Sequence, residues 1–405
     1  MKSAQYAIYY ALILLFLMAC NAEKKGLTIT RLRCEYLENP FGIDTPFPRL
    51  SWELQSNRRG EKQSAYQIIA SSEKNGCADL WDSGKQISKQ SQHVKYGGQT
   101  LNSRQKVFWK VRVWDKEGRV SPWSGTAVFE TALLNNDDWK AKWIGGDTLI
   151  TNKEKPAPLF KKVITIDKKI KQARIYISGL GYYELTINDK RIGNHVLSPN
   201  QTNYDRRLSK KGMDSRVGNM SKRVLYETYD ITRALKTGYN EITVLLSNGW
   251  YYSIYFKQLK RLWYDTPRFI AQIEITLEDG SKRIIISDDS WDYADSPLIY
   301  NDLYTGEVYD ARLEQKPFQW RKAHLVRPPE GQLRAQMSPP DRIIRVIKPK
   351  SCREIAKNVW RFDLGEMISG WAELRINGRR GDKIKMRFLE EMGPSYGQTD
   401  TYIVK

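Results

Sequence analysis

Beyond residue 26 the chain runs in short stretches of alternating apolar and polar residues. Val107-Phe108-Trp109-Lys110-Val111-Arg112-Val113-Trp114 is one. Arg174-Ile175-Tyr176-Ile177, Ile242-Thr243-Val244-Leu245-Leu246 and Ala271-Gln272-Ile273-Glu274-Ile275 are others. Successive side chains of a strand point to opposite faces, so a period of two predicts strands buried on one side and wet on the other. Gly, Asn, Asp and Pro punctuate the runs, and a 3.6-residue apolar period is hard to find after residue 20. The expected fold is all-β, built of tandem β-sandwich domains.

Three segments follow from the punctuation. Residues 27–134 open with Arg49-Leu50-Ser51-Trp52-Glu53-Leu54, continue through Ala65-Tyr66-Gln67-Ile68-Ile69-Ala70 and close on Phe108 to Phe129. That spacing predicts a fibronectin-III or immunoglobulin-like sandwich ending in Asp115-Lys116-Glu117-Gly118 and Ser121-Pro122-Trp123-Ser124. The polar joint Asn135-Asn136-Asp137-Asp138 marks a boundary. Residues 139–340 carry many short strands and longer loops, as a jelly roll does. Residues 343–405 hold three or four strands by the same pattern, too few to close a sandwich, and the run Asp400 to Lys405 ends inside a strand-like stretch. The strand-and-turn phrase Gly181 to Arg191 is echoed by Gly370 to Arg380. Both end in Asn-Asp or Asn-Gly, residues that tolerate the positive φ of a tight hairpin.

The first twenty-six residues change the picture. Lys2 precedes an apolar run from Ala7 to Ala19, too short to span a bilayer and suited to the core of a signal peptide. Leu17-Met18-Ala19-Cys20 resembles a bacterial lipobox, which predicts cleavage before Cys20 and lipidation of its thiol. Residues 21–26 then read as a tether. The expectation is an exported, membrane-anchored lipoprotein, periplasmic or at the cell surface. Cys34, Cys77 and Cys352 remain, odd in number and far apart, so buried free thiols are expected in place of a disulfide framework or a zinc site.

A formal net charge of +20 concentrates in Lys153 to Lys171 and in Arg206 to Arg223. Basic surfaces attract anions. An exported chain rarely meets nucleic acid, which leaves an acidic polysaccharide as the functional reading, against a solvated loop as the plain one.

Longer phrases carry a resemblance. In order they are Gly179-Leu180-Gly181-Tyr182-Tyr183-Glu184-Leu185, Leu197-Ser198-Pro199-Asn200-Gln201-Thr202-Asn203-Tyr204 and Val224-Leu225-Tyr226-Glu227-Thr228-Tyr229-Asp230-Ile231-Thr232. Then come Leu246-Ser247-Asn248-Gly249-Trp250-Tyr251, Gly306-Glu307-Val308-Tyr309-Asp310-Ala311-Arg312 and Arg361-Phe362-Asp363-Leu364-Gly365-Glu366-Met367-Ile368-Ser369-Gly370-Trp371. With Asn39 to Asp44 and Pro48 to Trp52 near the start, the chain resembles the N-terminal modules of bacterial α-L-rhamnosidases over nearly its whole length. The family usually has Gln-Asn where Glu366-Met367 stands here. The resemblance implies a series of β-domains that precede an α/α barrel. It also implies inverting hydrolysis of terminal α-L-rhamnose by a carboxylic acid and a carboxylate base on that barrel, set wide enough apart to admit a water. No catalytic residue is carried onto this chain, and residues 1–405 alone are expected to be inactive.

Candidate chemistry within the chain is sparse. Glu307 and Asp310, or Glu390 and Glu391, could pair as acid and base if burial raised one of them. Adjacent strand residues face opposite ways, however, and structural roles are the expectation. His93, His195 and His324 show no ligand spacing, and neither metal nor cofactor is expected. Jelly-roll modules of some family members bind rhamnose with calcium, but Gly179 to Tyr183 offers no carboxylate before Glu184. Aromatic faces can stack on sugars, and Trp250, Tyr251, Tyr252 and Tyr255 are dense. Alternation would send Trp250 and Tyr252 one way and Tyr251 and Tyr255 the other, one set being core. Tyr182, Asn248 and Trp250 are the candidate sugar contacts. Two other readings stay open: a surface glycan-binding lipoprotein without hydrolase activity, and an inactive truncated gene product.

Overall fold

The computed structural model describes residues 26–146, 155–205, 221–252, 264–389 and 398–405. Cys20, Glu390, Glu391, Tyr255 and most of the basic run from Arg206 lie outside them. Among the described residues there is no α-helix, only strands and two 3-10 turns, Asn136–Asp138 and Ala311–Gln315. The chain divides into two units, residues 1–40 with 45–131 and residues 41–44 with 132–405.

The first unit is a small sandwich. One sheet joins Thr28–Cys34, Arg49–Gln55 and Val94–Lys95, and the other runs in the order Ala127–Thr131, Lys106–Trp114, Ala65–Ser71, Trp81–Asp82. Alternation along Lys106–Trp114 is strict: Val107, Trp109, Val111 and Val113 are buried, while the residues between them are half-buried. Trp52 is buried with its indole N–H donated to Gln63 Oε1 at 3.0 Å, and Gln63 Nε2 donates in turn to the Ser88 and Gln90 carbonyls. Every polar atom of that pair finds a partner, as a buried polar pair must.

In the second unit two larger sheets face each other. One has the order Lys190–Arg191, Tyr182–Ile187, Gly238–Ser247, Pro158–Ile166, Asp292–Asp295, Arg321–Lys322. The other has the order His324–Leu325, Ile144–Gly145, Arg268–Leu277, Ile170–Leu180, Arg223–Asp230, Gln332–Ala335. Neighbours in these orders are mostly distant in sequence, the mark of a jelly roll. Phe160, Ile175, Ile177, Leu185, Val244, Phe269, Ile273 and Trp291 fill the space between. Phe41–Asp44 groups with this unit: the Arg174 guanidinium lies 4.7 Å from the Phe41 ring centroid, and Asp44 Oδ2 accepts from the Ala335 N–H at 2.9 Å.

Residues 343–405 divide their strands. Ser351–Ala356 and Val359–Asp363 form an isolated two-stranded sheet, with Trp360 55% and Phe362 51% exposed. Thr399–Ile403 instead lies parallel to Gly306–Asp310 and antiparallel to Lys383–Arg387, and the Tyr309 and Tyr402 rings stack at 5.9 Å. The two echoing phrases also part company. Asn188 and Asp189 adopt positive φ and turn Tyr182–Ile187 into Lys190–Arg191, whereas Gly370–Arg380 carries no strand. One sequence expectation is corrected here: Cys34 is buried, but Cys77 and Cys352 are exposed, each beside polar loop or open hairpin residues.

Candidate carbohydrate-contact loops

Two loops at one end of the jelly roll meet through a pair of glycines. Gly181 (φ +50°) links Ile170–Leu180 to Tyr182–Ile187, and Gly249 (φ +48°) follows Gly238–Ser247. A Cβ at Gly249 would fall 2.8 Å from the Gly181 carbonyl carbon and 3.0 Å from the Tyr182 ring. Only glycine permits both this approach and this conformation. Tyr182 therefore sits beside Trp250, with Tyr182 paired to Ser247 in the ladder.

Asn248 fastens the arrangement. Its backbone N–H donates to Asn301 Oδ1 and its side-chain Nδ2 to the Asn301 carbonyl, both at 2.7 Å. Its carbonyl accepts from the Tyr251 and Tyr252 N–H groups at 3.1 Å. One N–H of the Asn248 side chain thus holds its loop to Asn301. Trp250 meets Tyr304 edge-on at 5.7 Å, and Tyr304 is 43% exposed. Burial pushes the Tyr182 phenol up to about 12, the Asp341 carboxylate adds to the rise, and hydrogen bonding with Trp250 opposes it. The phenol stays protonated, and its oxygen accepts from the Trp250 indole N–H.

The expected alternation does not hold over Trp250 to Tyr252, because the strand ends at Ser247 and the chain turns there; Tyr255 lies outside the described residues. Tyr251 is fully buried, stacked on Tyr264 at 5.4 Å and edge-on to Tyr204 at 5.8 Å. Trp250 and Tyr182 stay half-buried with ring surface open to solvent. Tyr304 and Asp341 join them from segments far along the chain, and no local pattern announces either.

Glu307 and Asp310 turn to separate partners, and Glu390 and Glu391 lie outside the described residues. Asp310 accepts both arms of Arg312 at 2.8 Å and caps the turn that follows. Glu307 instead donates its backbone N–H to Asp400 at 3.1 Å. His195 has a structural partner that spacing did not reveal: its Nδ1 lies 2.5 Å from Glu227 Oε1, and Arg342 approaches Nε2 at 3.1 Å. Glu227 is buried and also accepts from the Tyr183 and Tyr229 hydroxyls at 2.7 and 2.6 Å. Burial alone would raise this carboxyl, but the hydrogen bond and charge of His195, with those hydroxyls, hold it below its ordinary value. Among the described residues, the one group spaced to hold a metal ion is Glu61, Asp115 and Glu117, and it includes no histidine.

The fold defines a tandem β-sandwich protein, an immunoglobulin-like unit followed in sequence by a jelly roll. Three family descriptions match it: the Rha78A-like N-terminal immunoglobulin domain over residues 29–135, the α-L-rhamnosidase N-terminal domain over 168–215 and 207–345, and the bacterial α-L-rhamnosidase concanavalin-like domain over 353–405. The chain belongs to the bacterial α-L-rhamnosidase family, whose N-terminal β-sandwich modules it carries. It is 34% identical over 424 residues to an α-L-rhamnosidase of Formosa agariphila, covering 97% of this chain and 43% of that protein. The solved α-L-rhamnosidase of Dictyoglumus thermophilum superimposes with a TM-score of 0.78 at 36% identity, covering 93% of this chain and 44% of the other. That of Aspergillus terreus gives 0.79 at 29%, covering 94% and 44%. The chain thus spans less than half the length of these relatives.

Proposed function

We propose that this chain serves α-L-rhamnosidase action on rhamnose-containing glycans as its non-catalytic N-terminal part, with Tyr182 and Trp250 as a sugar-contact platform. The observation that carries the platform is the glycine pair, which brings the half-buried Tyr182 and Trp250 within hydrogen-bond reach of each other while Asn248 fastens their loop. Aromatic faces held this way meet the C–H face of a pyranose with little ordering left to lose. The non-catalytic reading is supported by Asp310, neutralised by Arg312, and by Glu307, which does not converge with it. Hydrolysis with inversion needs two carboxyl groups facing one bond. Lipidation at Cys20 would tether the chain outside the cytoplasm and keep the platform near polymeric substrate.

The test pairs two measurements on the 405-residue chain. No rhamnose is expected from an aryl α-L-rhamnoside, whereas rhamnose oligosaccharides are expected to bind in the millimolar range and to lose about ten-fold in affinity in Trp250→Ala. Rhamnose release would overturn the non-catalytic reading. Unchanged binding in the variant would remove the platform. A surface glycan-binding lipoprotein without hydrolase activity is the second reading, favoured by the same exposed rings, and it predicts binding without any rhamnosidase partner.

A further inference from the structure

The outward face of the first unit's larger sheet carries a row of cations that make no direct ion pair. On Lys106–Trp114 the residues opposite the core are Lys106, Phe108, Lys110, Arg112 and Trp114; Gln67 and Ile69 lie beside Arg112 and Lys110 in the ladder, and Asp82 lies beside Ile69 on its other side. The segment after this strand folds back along it. Ser121 and Ser124 N–H groups donate to the Val113 and Val111 carbonyls at 2.8 Å, while their hydroxyls accept from the same residues' N–H groups at 3.0 and 3.1 Å. Trp123 is thereby laid next to the cations. The Arg112 guanidinium is 4.7 Å from the Trp123 ring and 5.3 Å from Trp114; Lys85 lies 4.8 Å over Trp114 and Lys110 5.8 Å from Trp123.

Several other cations in this unit meet carboxylates: Arg33 with Glu53, Arg49 with Glu35, Arg58 with Glu61, Arg119 with Asp115. Among the described residues, Lys85, Lys110 and Arg112 have no such partner. Arg112 gives Nε and Nη2 to the neutral Gln67 Oε1 at 2.9 and 2.7 Å, and Gln67 passes its own N–H to Asp82 at 2.7 Å. Like charges in a row repel one another. Stacking on tryptophan offsets part of that cost and fixes the heads in place, leaving their attraction for an incoming anion undiminished. Beside the row lies a shallow depression with Ile69 and Phe108 among its lining residues and Lys74 and Lys110 at its side.

We propose that this face binds an anionic saccharide, its ring over Ile69 and Phe108 and its carboxylate or sulfate groups held by Lys74, Lys110, Arg112 and Lys85. The chemistry matches on both counts: an apolar floor suits a sugar's C–H face, and charge-assisted hydrogen bonds to Arg and Lys suit its acidic groups. The proposal is independent of the Tyr182–Trp250 platform, which lies in the other unit.

Titration calorimetry of the whole chain with oligogalacturonate, dextran sulfate and neutral dextran tests it. Binding of at least one anionic probe is expected, with none of neutral dextran. That binding should weaken several-fold between about 50 and 300 mM salt. The triple substitution Lys74→Gln, Lys85→Gln, Lys110→Gln should weaken it about ten-fold or more. A charge-matched control in the second unit, Lys169→Gln, Lys171→Gln, Lys282→Gln, should change it less than about two-fold. Which anionic probe binds identifies the group recognised. Absence of binding to both, or equal loss in the two triple variants, overturns the proposal, the latter by assigning the effect to bulk charge. Trp250→Ala should leave this binding unchanged, so failure here is separable from failure of the platform.

Discussion

Gly181 and Gly249 stand back to back, each in the left-handed region, with the approach at Gly249 too close for any Cβ. Gly249→Ala is therefore expected to cost about 1–3 kcal/mol of stability. It should also displace Trp250 from Tyr182. Urea unfolding gives the first quantity and near-ultraviolet circular dichroism of the aromatic pair the second. A fully stable variant with an unchanged aromatic spectrum would show that the loops tolerate another route.

Asn248 and Trp250 are adjacent but should fail in different ways. Asn248→Ala removes a hydrogen bond to the Asn301 carbonyl and should lower stability by about 1–2 kcal/mol. Trp250→Ala should act mainly on sugar affinity. Denaturation midpoints beside calorimetric affinities for both variants separate the two roles, and identical profiles would contradict the assignment.

Glu227 sets an acid limit on the second unit. Its carboxyl is held below an ordinary value of 4.5 in the folded chain. As the pH falls past 4.5 the unfolded chain takes up that proton first, and stability declines until the pH passes the lower folded value. Above that window the contribution is complete. Glu227→Gln should flatten the acid side of the stability profile below the ordinary value of 4.5, while losing stability near neutrality through the broken pairing with His195. Thermal melts across that range are the measurement; an unaltered slope would place the acid sensitivity elsewhere.

The exposed hairpin offers a surface prediction. Trp360 and Phe362 lie two residues apart on one strand, opposite Glu354 and Cys352. Replacing both with Ser should change stability by under about 0.5 kcal/mol, because neither is in a core. It should clearly reduce the binding of an apolar-sensing fluorescent dye. Dye titration of parent and variant decides, and a large loss of stability would mean that these rings are packed after all.

The strands are readable because their alternation is local: Val107 to Trp114 announces its buried and outward faces residue by residue. The aromatic dipeptide at Trp250 is legible for the same reason, although the turn there replaces the strand geometry that alternation assumes. Other features depend on distant partners. Asn248 has the chemistry of a contact residue and becomes a fastener only because Asn301 arrives from another sheet. Tyr304, Asp341 and the pairing of His195 with Glu227 have no sequence signature, since hydrogen bonds between segments dozens of residues apart leave no period. The cation row is half visible, in its strand, while Trp123, Lys85 and Asp82 reach it from other segments.

The parallel pairing of Gly306–Asp310 with Thr399–Ile403 also dictates an order of events. Val308 meets Thr401 only after a loop of about ninety residues has been closed, an entropic step that precedes any reward from the ladder. Synthesis delivers the N-terminal side first. The edge of Gly306–Asp310 consequently waits unpaired while those residues are made, and a growing chain carries there, for that interval, an open strand that other chains could join.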